Sequence, residues 1–282
     1  MINMRILVTG HEGFIGKHLY QTLQQHQHDV VGYEYTENLF PDVADFDWVI
    51  HCGAISSTTE KNIDKVWQHN LKFTEKLIEA CAQHHTHLQY ASSASVYGPY
   101  KNFKETDPCL PQSPYAWSKF LIDKQLNDAG FDSYPIHIQG FRYFNVYGSG
   151  EEHKDGQMSP VSKFTIQAQE HGEITLFENS DQYLRDFVCV DDIVDVHLRM
   201  LKKPISGIFN IGTGTARSFQ HIAELIAHKY QAQIIYIPMF EHLKNQYQAY
   251  TCADITKLTH VIGTKNWLSP EEYLQKEITQ PA

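Results

Sequence analysis

The sequence has no long run of apolar residues, no paired cysteine motif and no concentration of positive charge. No segment approaches the roughly 20 apolar residues that a membrane-spanning helix needs. The opening stretch MINMRILVTG is also too short in its apolar part for a signal peptide. The five cysteines are an odd set without CxxC spacing, which fits reduced thiols better than a disulfide framework. We therefore expect a cytoplasmic protein without a membrane segment.

The charge balance excludes another class of partner. The chain carries 23 Lys and Arg against 33 Asp and Glu, a formal net charge of −10, and the basic residues are scattered. Nucleic-acid surfaces need clustered basic side chains, so we expect no nucleic-acid partner. The 17 histidines include HHTH at 84–87, but no Cys or carboxylate completes a ligand set there. We predict no metal site.

Short β-branched runs alternate with amphipathic stretches along the first half of the chain. This alternation predicts a Rossmann-type α/β fold, a parallel sheet flanked by helices with a smaller C-terminal substrate lobe. The rhythm changes at the polar loop after Asn145. We assign residues 1–147 to a dinucleotide-binding domain, with strands from 174 onward able to return to it, and 148–282 mainly to the substrate lobe. The predicted strands are 5–10, 29–34, 47–54, 88–93 and 136–145, and the predicted helices are 14–26, 64–84 and 115–128.

The stretch VTGHEGFIG places three glycines at the junction of the first strand and the first helix. Glycine permits a tight turn and lets the backbone approach a pyrophosphate, which then rests on the N–H groups of the helix N-terminus. A purely structural turn is the alternative interpretation. We predict a dinucleotide site at Gly10, Gly13, Phe14, Ile15 and Gly16.

Glu34 stands near the end of the second predicted strand, where an acidic side chain binds the ribose hydroxyls and disfavours a 2′-phosphate. No Lys or Arg occurs between Lys17 and Lys61 to neutralise such a phosphate. NAD is therefore predicted over NADP. The linker YTENLFPDVADF, residues 35–46, is too short for another strand and helix. We therefore expect that the strand that follows the second strand in a Rossmann-type sheet, its third strand, is lost.

The stretch SPYAWSKF places Tyr115 and Lys119 four residues apart, behind a proline that favours a helix start. A neighbouring cation favours a phenolate and lowers the pKa of a tyrosine, and such a proton acceptor is what alcohol oxidation requires. Ser93, at the end of its strand, can hydrogen-bond the same substrate oxygen. We predict these three residues as the catalytic set.

Two resemblances extend this interpretation. The spacing G-x-x-G-x-x-G, together with Ser93, Tyr115 and Lys119, resembles the extended branch of the short-chain dehydrogenase/reductase superfamily. Most of the chain beyond residue 50 resembles the ADP-L-glycero-D-manno-heptose 6-epimerases more closely. The stretches that carry this likeness are HCGAISSTTE, YASSASVYG, GFRYFNVYG, EEHKDGQMSP, RDFVCVDDIVDVHL, GIFNIGTGTARSFQ and YIPMFEHLKNQYQAYTCADITKL.

The epimerase resemblance implies further roles. It makes Lys154 a second acid/base facing Tyr115 across the sugar. The superfamily's dehydratases carry Thr-Asp-Glu where this chain has Ser93-Ala94-Ser95, so the resemblance argues against dehydration. By position it assigns one set to the nucleotide sugar and one to the nicotinamide side: Ser93, Asn145, Lys154, Phe177, Arg185 and Tyr247 for the former; Ala54, Ser56, Asn70, Tyr115, Lys119 and Val146 for the latter. The chain departs from the family at Gln246, an arginine there, and by one added residue between Lys154 and Met158.

Together these observations predict C6 epimerisation of ADP-glycero-manno-heptose through a bound nicotinamide. Two alternatives stay open: a nucleotide-hexose 4-epimerase or reductase of the same superfamily, and a non-catalytic dinucleotide sensor. The resemblance also implies a homo-oligomer that pairs the helices near 64–84 and 115–128, and a role in lipopolysaccharide or another surface glycan.

Overall fold

The computed structural model describes residues 3–37, 39–57, 60–100, 103–241 and 248–276. The central sheet has six strands: β1 Arg5–Thr9, β2 Asp29–Tyr33, β3 Trp48–His51, β4 His87–Ser93, β5 Ile138–Tyr143 and β9 Gly207–Ile211. The strands are all parallel and lie in the order β2-β1-β3-β4-β5-β9. This order reverses between β1 and β3, which is where ligands bind in doubly wound sheets, beyond the carboxyl ends of the strands.

The helices of this domain cover both faces of the sheet. The predicted helix near 64–84 forms without a gap, but its turn Trp67–Lys72 is π-helical and the flanking parts are α-helical. The predicted helices 14–26 and 115–128 agree with the observed ones to within one residue at each end. The helices are α1 Phe14–Gln25, α2 Ile63–Val66, α3 Phe73–His84, α4 Pro114–Ala129 and α6 Val190–Met200.

Among the described residues, two smaller sheets and four helices form a second lobe, the part of the chain predicted to bind substrate. One sheet has the order β10-β8-β6, and the other pairs β11 with β7 in parallel. The last strand of the large sheet, β9, belongs to the chain segment beyond 174. The elements are β6 Asn145–Tyr147, β7 Glu173–Phe177, β8 Leu184–Cys189, β10 Ala216–Ser218, β11 Gln233–Ile237, α5 Pro160–His171, α7 Phe219–Tyr230, α8 Thr256–Ile262 and α9 Pro270–Lys276.

The sheet ends at β2, as the short linker predicted. Among the described residues of 34–46, the backbone forms one isolated β-bridge, between Thr36 and Leu39. β2 is therefore the edge strand, and no described strand pairs with its outer side. None of the described helices is long and apolar enough to cross a bilayer.

A buried ion pair fixes α4 against the sheet. Asp123 of α4 accepts a hydrogen bond from Arg142 Nε of β5 at 2.8 Å, and Tyr90 and Ser92 of β4 donate to the same carboxylate. Removing one partner of such a pair would leave an uncompensated buried charge. The pair therefore sets the position of α4, which carries Tyr115 and Lys119.

Candidate active site

The glycine turn has the geometry of a pyrophosphate cradle. Gly10 adopts a φ of +72°, and a Cβ there would lie 2.5 Å from the backbone of Gly53, so only glycine fits. A Cβ on Gly16 would overlap the carbonyl oxygen of Gly10. Gly13 caps α1 without a side-chain hydrogen bond, which leaves the first-turn N–H groups of Phe14, Ile15 and Gly16 facing outward. These residues fit the diphosphate of a dinucleotide.

Glu34 follows β2 and lies beside this turn. Its Oε1 accepts a hydrogen bond from the backbone N–H of Glu12 at 2.8 Å. His11 Nδ1 lies 3.1 Å from the same oxygen, close enough for an ion pair, but the contact is not aligned as a hydrogen bond. The carboxylate is therefore held at the edge of the cleft, where it can meet ribose hydroxyls.

A cavity of about 190 Å³ opens at the point where the strand order reverses. Ala54 lines it, as predicted for the cofactor side, whereas the predicted Ser56 is exposed two residues further on. The cavity is lined by Thr9, Gly10, Tyr33, Glu34, Tyr35, Gly53, Ala54, Ile55, His69 and Phe73.

Asn70 lies inside the π segment and ties the cleft together. Its side chain accepts from the Ile55 N–H at 2.8 Å and donates to the Ile55 carbonyl at 3.0 Å. It also donates to Ser118 Oγ at 3.1 Å, one residue before Lys119. Asn70 thus acts as a positioning residue that links the loop after β3 to α4, and π segments of this kind often occur at functional sites.

Ser93 and Tyr115 are brought together by the end of β4 and the start of α4. The Ser93 hydroxyl lies close enough to Tyr115 to oppose the rise in the pKa of the phenol, and Ser93 Oγ accepts a hydrogen bond from Ser95 Oγ at 2.9 Å. Ser113 caps α4, accepting from the Ala116 N–H, and Pro114 is its first residue. The helix start that the sequence predicted therefore sets the phenol beside the strand-end hydroxyl.

Lys119 is buried, with 4% of its surface exposed. Burial lowers its pKa to about 8, and the neighbouring Cys52 and Asp123 oppose that shift. The pKa of Tyr115 is raised by burial, with the Ser93 hydrogen bond opposing. The expectation that Lys119 would lower the pKa of Tyr115 is wrong for this structure, because desolvation of the phenolate outweighs the other contributions.

A second cavity, of about 200 Å³, lies on the other side of Ser93. It brings together Ser93, Asn145 and Arg185 of the predicted substrate set. Val146 follows Asn145 and packs, half-buried, against the apolar cluster around Phe141; it does not line the cavity of Glu34, and its predicted cofactor contact stays a prediction. The cavity is lined by Ser93, Ala94, Ser95, Tyr143, Phe144, Asn145, Arg185, Gln248 and Thr251.

Phe177 lies in a third cavity, of about 180 Å³, rather than in the same one as Ser93. Arg185 joins the two, because it lines the cavity of Ser93 while its guanidinium lies 5.2 Å from the ring of Phe219, which lines the cavity of Phe177. An elongated ligand could therefore span both. The predicted Tyr247, and Gln246 before it, lie outside the described residues.

Lys154 is not among the residues that line the Ser93 cavity. It lies in the loop between β6 and α5, with its Nζ 3.2 Å from Glu151 Oε2 and 3.8 Å from the centre of the Phe14 ring. Burial lowers its pKa, and Glu151 opposes that shift. The side chain therefore lies against the first turn of α1, on the cofactor side of the loop.

The same loop also borders a larger cavity, of about 630 Å³, between α5, α7 and α9. Ser149, Asp191, Tyr230 and Tyr273 are among its lining residues. Since none of the predicted site residues that the structure describes lines it, its size alone does not make it the active site. Elsewhere, the described residues contain no group of three His, Cys, Asp or Glu side chains suited to a metal ion.

Sequence reasoning missed several side chains behind the catalytic pair. Tyr143 ends β5 beside Cys52, and its hydroxyl lies 2.6 Å from His197 Nε2. Burial raises the pKa of Cys52 to about 12, which keeps that thiol protonated. Position was the available signal: Tyr143, like Ser93, lies at the carboxyl end of a central parallel strand, the edge at which such sheets bind ligands.

Comparison with a family of known proteins adds to this geometry. The sequence model described as "NAD dependent epimerase/dehydratase family" matches residues 6–212, well over half of the chain. The matched region contains the glycine turn, Glu34, Ser93, Tyr115 and Lys119.

Solved structures of nucleotide-sugar enzymes share the fold. ADP-L-glycero-D-manno-heptose-6-epimerase from Helicobacter pylori is 25% identical with a TM-score of 0.85, over 98% of this chain and 96% of that one. UDP-glucose 4-epimerase from Thermotoga maritima is 26% identical with a TM-score of 0.81, over 98% and 100%. UDP-N-acetylglucosamine 4-epimerase from Methanobrevibacter ruminantium, at 22% identity and a TM-score of 0.86 over 100% of both chains, is a likeness of fold.

Proposed function

Because the chain belongs to the NAD dependent epimerase/dehydratase family, we propose that it is an epimerase that inverts one hydroxyl-bearing carbon of a nucleotide sugar. The observation that carries the proposal is the placement of Ser93 at the end of β4 and Tyr115 at the start of α4, beside a cavity that Ser93 and Arg185 both line. The glycine turn and Glu34 would hold NAD, which would supply hydride transfer from and back to the sugar carbon.

The side chains supply the proton transfer. Tyr115, as the phenolate, takes the proton of the sugar hydroxyl while the carbon is oxidised, and gives it back when the carbonyl is reduced on its other face. Ser93 hydrogen-bonds the same oxygen and holds it beside the phenol. Lys119, buried one helical turn from Tyr115, is placed to contact the nicotinamide ribose, the role that the superfamily resemblance assigns to it.

Elimination of water is the other reaction class of the family, and the strand end disfavours it. Dehydration needs an acid and a base to protonate the leaving hydroxyl and remove a proton from carbon. Ser93, Ala94 and Ser95 line the cavity at this point, and no carboxylate stands among the described residues that line it. This lining supports epimerisation over dehydration.

The most specific form of the proposal is inversion at C6 of ADP-glycero-manno-heptose. Arg185 is 8% exposed, lines the cavity of Ser93 and lies over the ring of Phe219, which lines the cavity of Phe177, so it is placed to bind a diphosphate. Phe177 lies beyond it and offers an aromatic face to a nucleobase. The similar Helicobacter pylori enzyme acts on this sugar, and the product would enter lipopolysaccharide or another surface glycan.

Proton NMR tests the proposal directly. Purified protein with NAD is incubated with ADP-D-glycero-D-manno-heptose, and the C6 epimer is expected to accumulate to an equilibrium mixture without net NADH. Conversion of a hexose nucleotide instead would retain the epimerase proposal and reject the heptose. Folded, NAD-bound protein that converts none of these sugars would reject epimerisation and favour a dinucleotide sensor.

A nucleotide-hexose 4-epimerase is the second candidate, and the position of Lys154 favours it. In that reaction Tyr115 alone would serve both faces of a sugar that rotates in the pocket. Lys154 is engaged with Glu151 and Phe14 rather than lining the Ser93 cavity. The kinetics of a Lys154 variant separate the two candidates, as described below.

We also propose that the protein is a homo-oligomer that pairs α4 and the helix running from Ile63 to His84. Trp117 on α4 is 41% exposed and Ile63 is 55% exposed, so both helices offer apolar surface. Light scattering after gel filtration tests this: a monomer mass would reject it, and a dimer lost on Trp117→Glu would support it.

A further inference from the structure

The adenosine end of the cofactor cleft is built differently from the rest of this sheet. In doubly wound folds the pyrophosphate lies on the first helix and the ribose meets the acidic residue after the second strand. The adenine must then lie just past Glu34. No described strand lies beyond β2 to provide a wall there, so the wall must come from other residues.

Two aromatic rings occupy that place. Tyr35 follows Glu34 directly, and its ring centre lies 3.9 Å from that of His69, with 31° between the ring planes. Both residues are half-buried and both line the 190 Å³ cavity. Phe73, one turn further along the helix, supports Tyr35 from the side at 5.4 Å, edge to face.

The π segment explains how His69 reaches the cleft. Its neighbour Asn70 is buried and holds both backbone groups of Ile55, which lines the same cavity. Within the widened turn Trp67–Lys72, His69 therefore lines the cavity while Asn70 fixes the loop after β3. One short segment thus contributes a ring to the cavity and holds the loop that lines it.

We propose that Tyr35 and His69 form the wall on which the adenine ring of NAD stacks, in place of the missing third strand. Purines stack on tyrosine and histidine rings without needing a specific hydrogen-bond pattern. Burial and the nearby Lys65 lower the pKa of His69, while Glu37 opposes them, so the imidazole is neutral at pH 7 and stacks without a charge to desolvate.

Binding measurements with parts of the cofactor test this wall. Isothermal titration gives the Kd of NAD, of ADP-ribose, which lacks nicotinamide, and of nicotinamide mononucleotide, which lacks adenine. Tyr35→Leu and His69→Leu keep apolar bulk but remove the aromatic face. Each is expected to weaken NAD and ADP-ribose about tenfold and to leave the mononucleotide within twofold. Tyr236→Leu and His228→Leu, on exposed positions of β11 and α7, are the matched controls.

The other outcomes overturn the proposal. Unchanged Kd values for NAD and ADP-ribose would mean that the adenine does not touch these rings. Equal weakening of the mononucleotide would mean that the variants disturb the whole cleft. If Tyr35→Leu does not fold, Tyr35→Phe and His69→Leu carry the test: the first keeps the aromatic face and should bind like the parent, and the second should not.

Discussion

Two lysines predicted to serve one reaction lie in different kinds of surroundings. Lys119 sits on a helix that the buried Asp123–Arg142 pair fixes to the central sheet. Lys154 sits in a loop, where it is held through Glu151. Burial lowers the pKa of both amines. The predicted pair of Tyr115 and Lys119 thus rests on a helix fixed to the central sheet, whereas the proposed second acid/base rests on a loop held through Glu151.

The largest effect should come from the helix α4, which the Asp123–Arg142 pair fixes to the central sheet. Tyr115→Phe keeps the ring and removes the proton acceptor, so kcat should fall by about 10³-fold or more, since positioned general acid–base groups contribute about 10²–10⁴. The Kd of NAD should stay within twofold. Turnover above a tenth of the parent rate would mean that another group carries the proton. The loop of Lys154 would then matter more for turnover than α4.

Lys154→Ala tests the loop region. The two-base model for a heptose predicts a fall in kcat of about 10²-fold, because one face of the carbonyl loses its proton donor. The single-base model predicts a rate near that of the parent. The control is Lys124→Ala, which removes an exposed lysine of α4 that pairs with Asp128. A large loss in this control would show that the assay responds to surface charge.

Glu151→Gln measures how strongly the loop depends on its anchor. The carboxylate is 1% exposed and accepts from the Ser159 N–H at 2.8 Å, the Ser159 hydroxyl at 2.7 Å and the Ser162 hydroxyl at 2.8 Å. An amide NH₂ turned toward these donors would cost about 2 kcal/mol of unfolding free energy. Urea unfolding checks this, with the exposed neighbour Glu152→Gln as control. Equal stability of both variants would contradict the anchor.

The smallest predicted effect concerns how the free energy of unfolding changes with acid, through His197 behind the central sheet. Burial lowers the pKa of His197 to about 3, from 6.5. Below pH 6.5 the unfolded chain gains a proton that the folded protein does not, so stability is lost as pH falls, by about 1.4 kcal/mol per unit from this residue.

His197→Gln should remove that share of the pH dependence. Unfolding free energies at pH 7.0 and 5.5 should differ by about 1 kcal/mol less in this variant than in the parent. His228→Gln, on an exposed position, should leave the difference unchanged. An unaltered slope in His197→Gln would mean that the imidazole is charged in the folded state.

The contrast between the lysines also explains what sequence could predict. The i, i+4 spacing of Tyr115 and Lys119 and the glycine turn are local patterns, and helix periodicity and backbone sterics fix their geometry. The absence of a further strand next to β2 followed from the length of the linker 35–46. These features of the fold and site agree with the structure.

Other positions depend on contacts between distant segments, which a sequence does not display. Lys154 lies where it does because Glu151 finds its donors on Ser159 and Ser162. Phe177 lies in its own cavity because the pair of β7 and β11 stands apart from the sheet of β8. Spacing along the chain carried no information about either distance.

The π segment has a consequence for how the length of this chain can change. A π turn holds one residue more than an α turn. Losing one residue from Trp67–Lys72 would let the turn relax to an α-helix and leave both flanks in register, whereas a loss within Phe73–His84 would rotate the preceding part by about 100°. The helix thus contains a place where a one-residue deletion is tolerated by the sheet, and its effect would fall on the grip of Asn70 and His69 on the cofactor cleft.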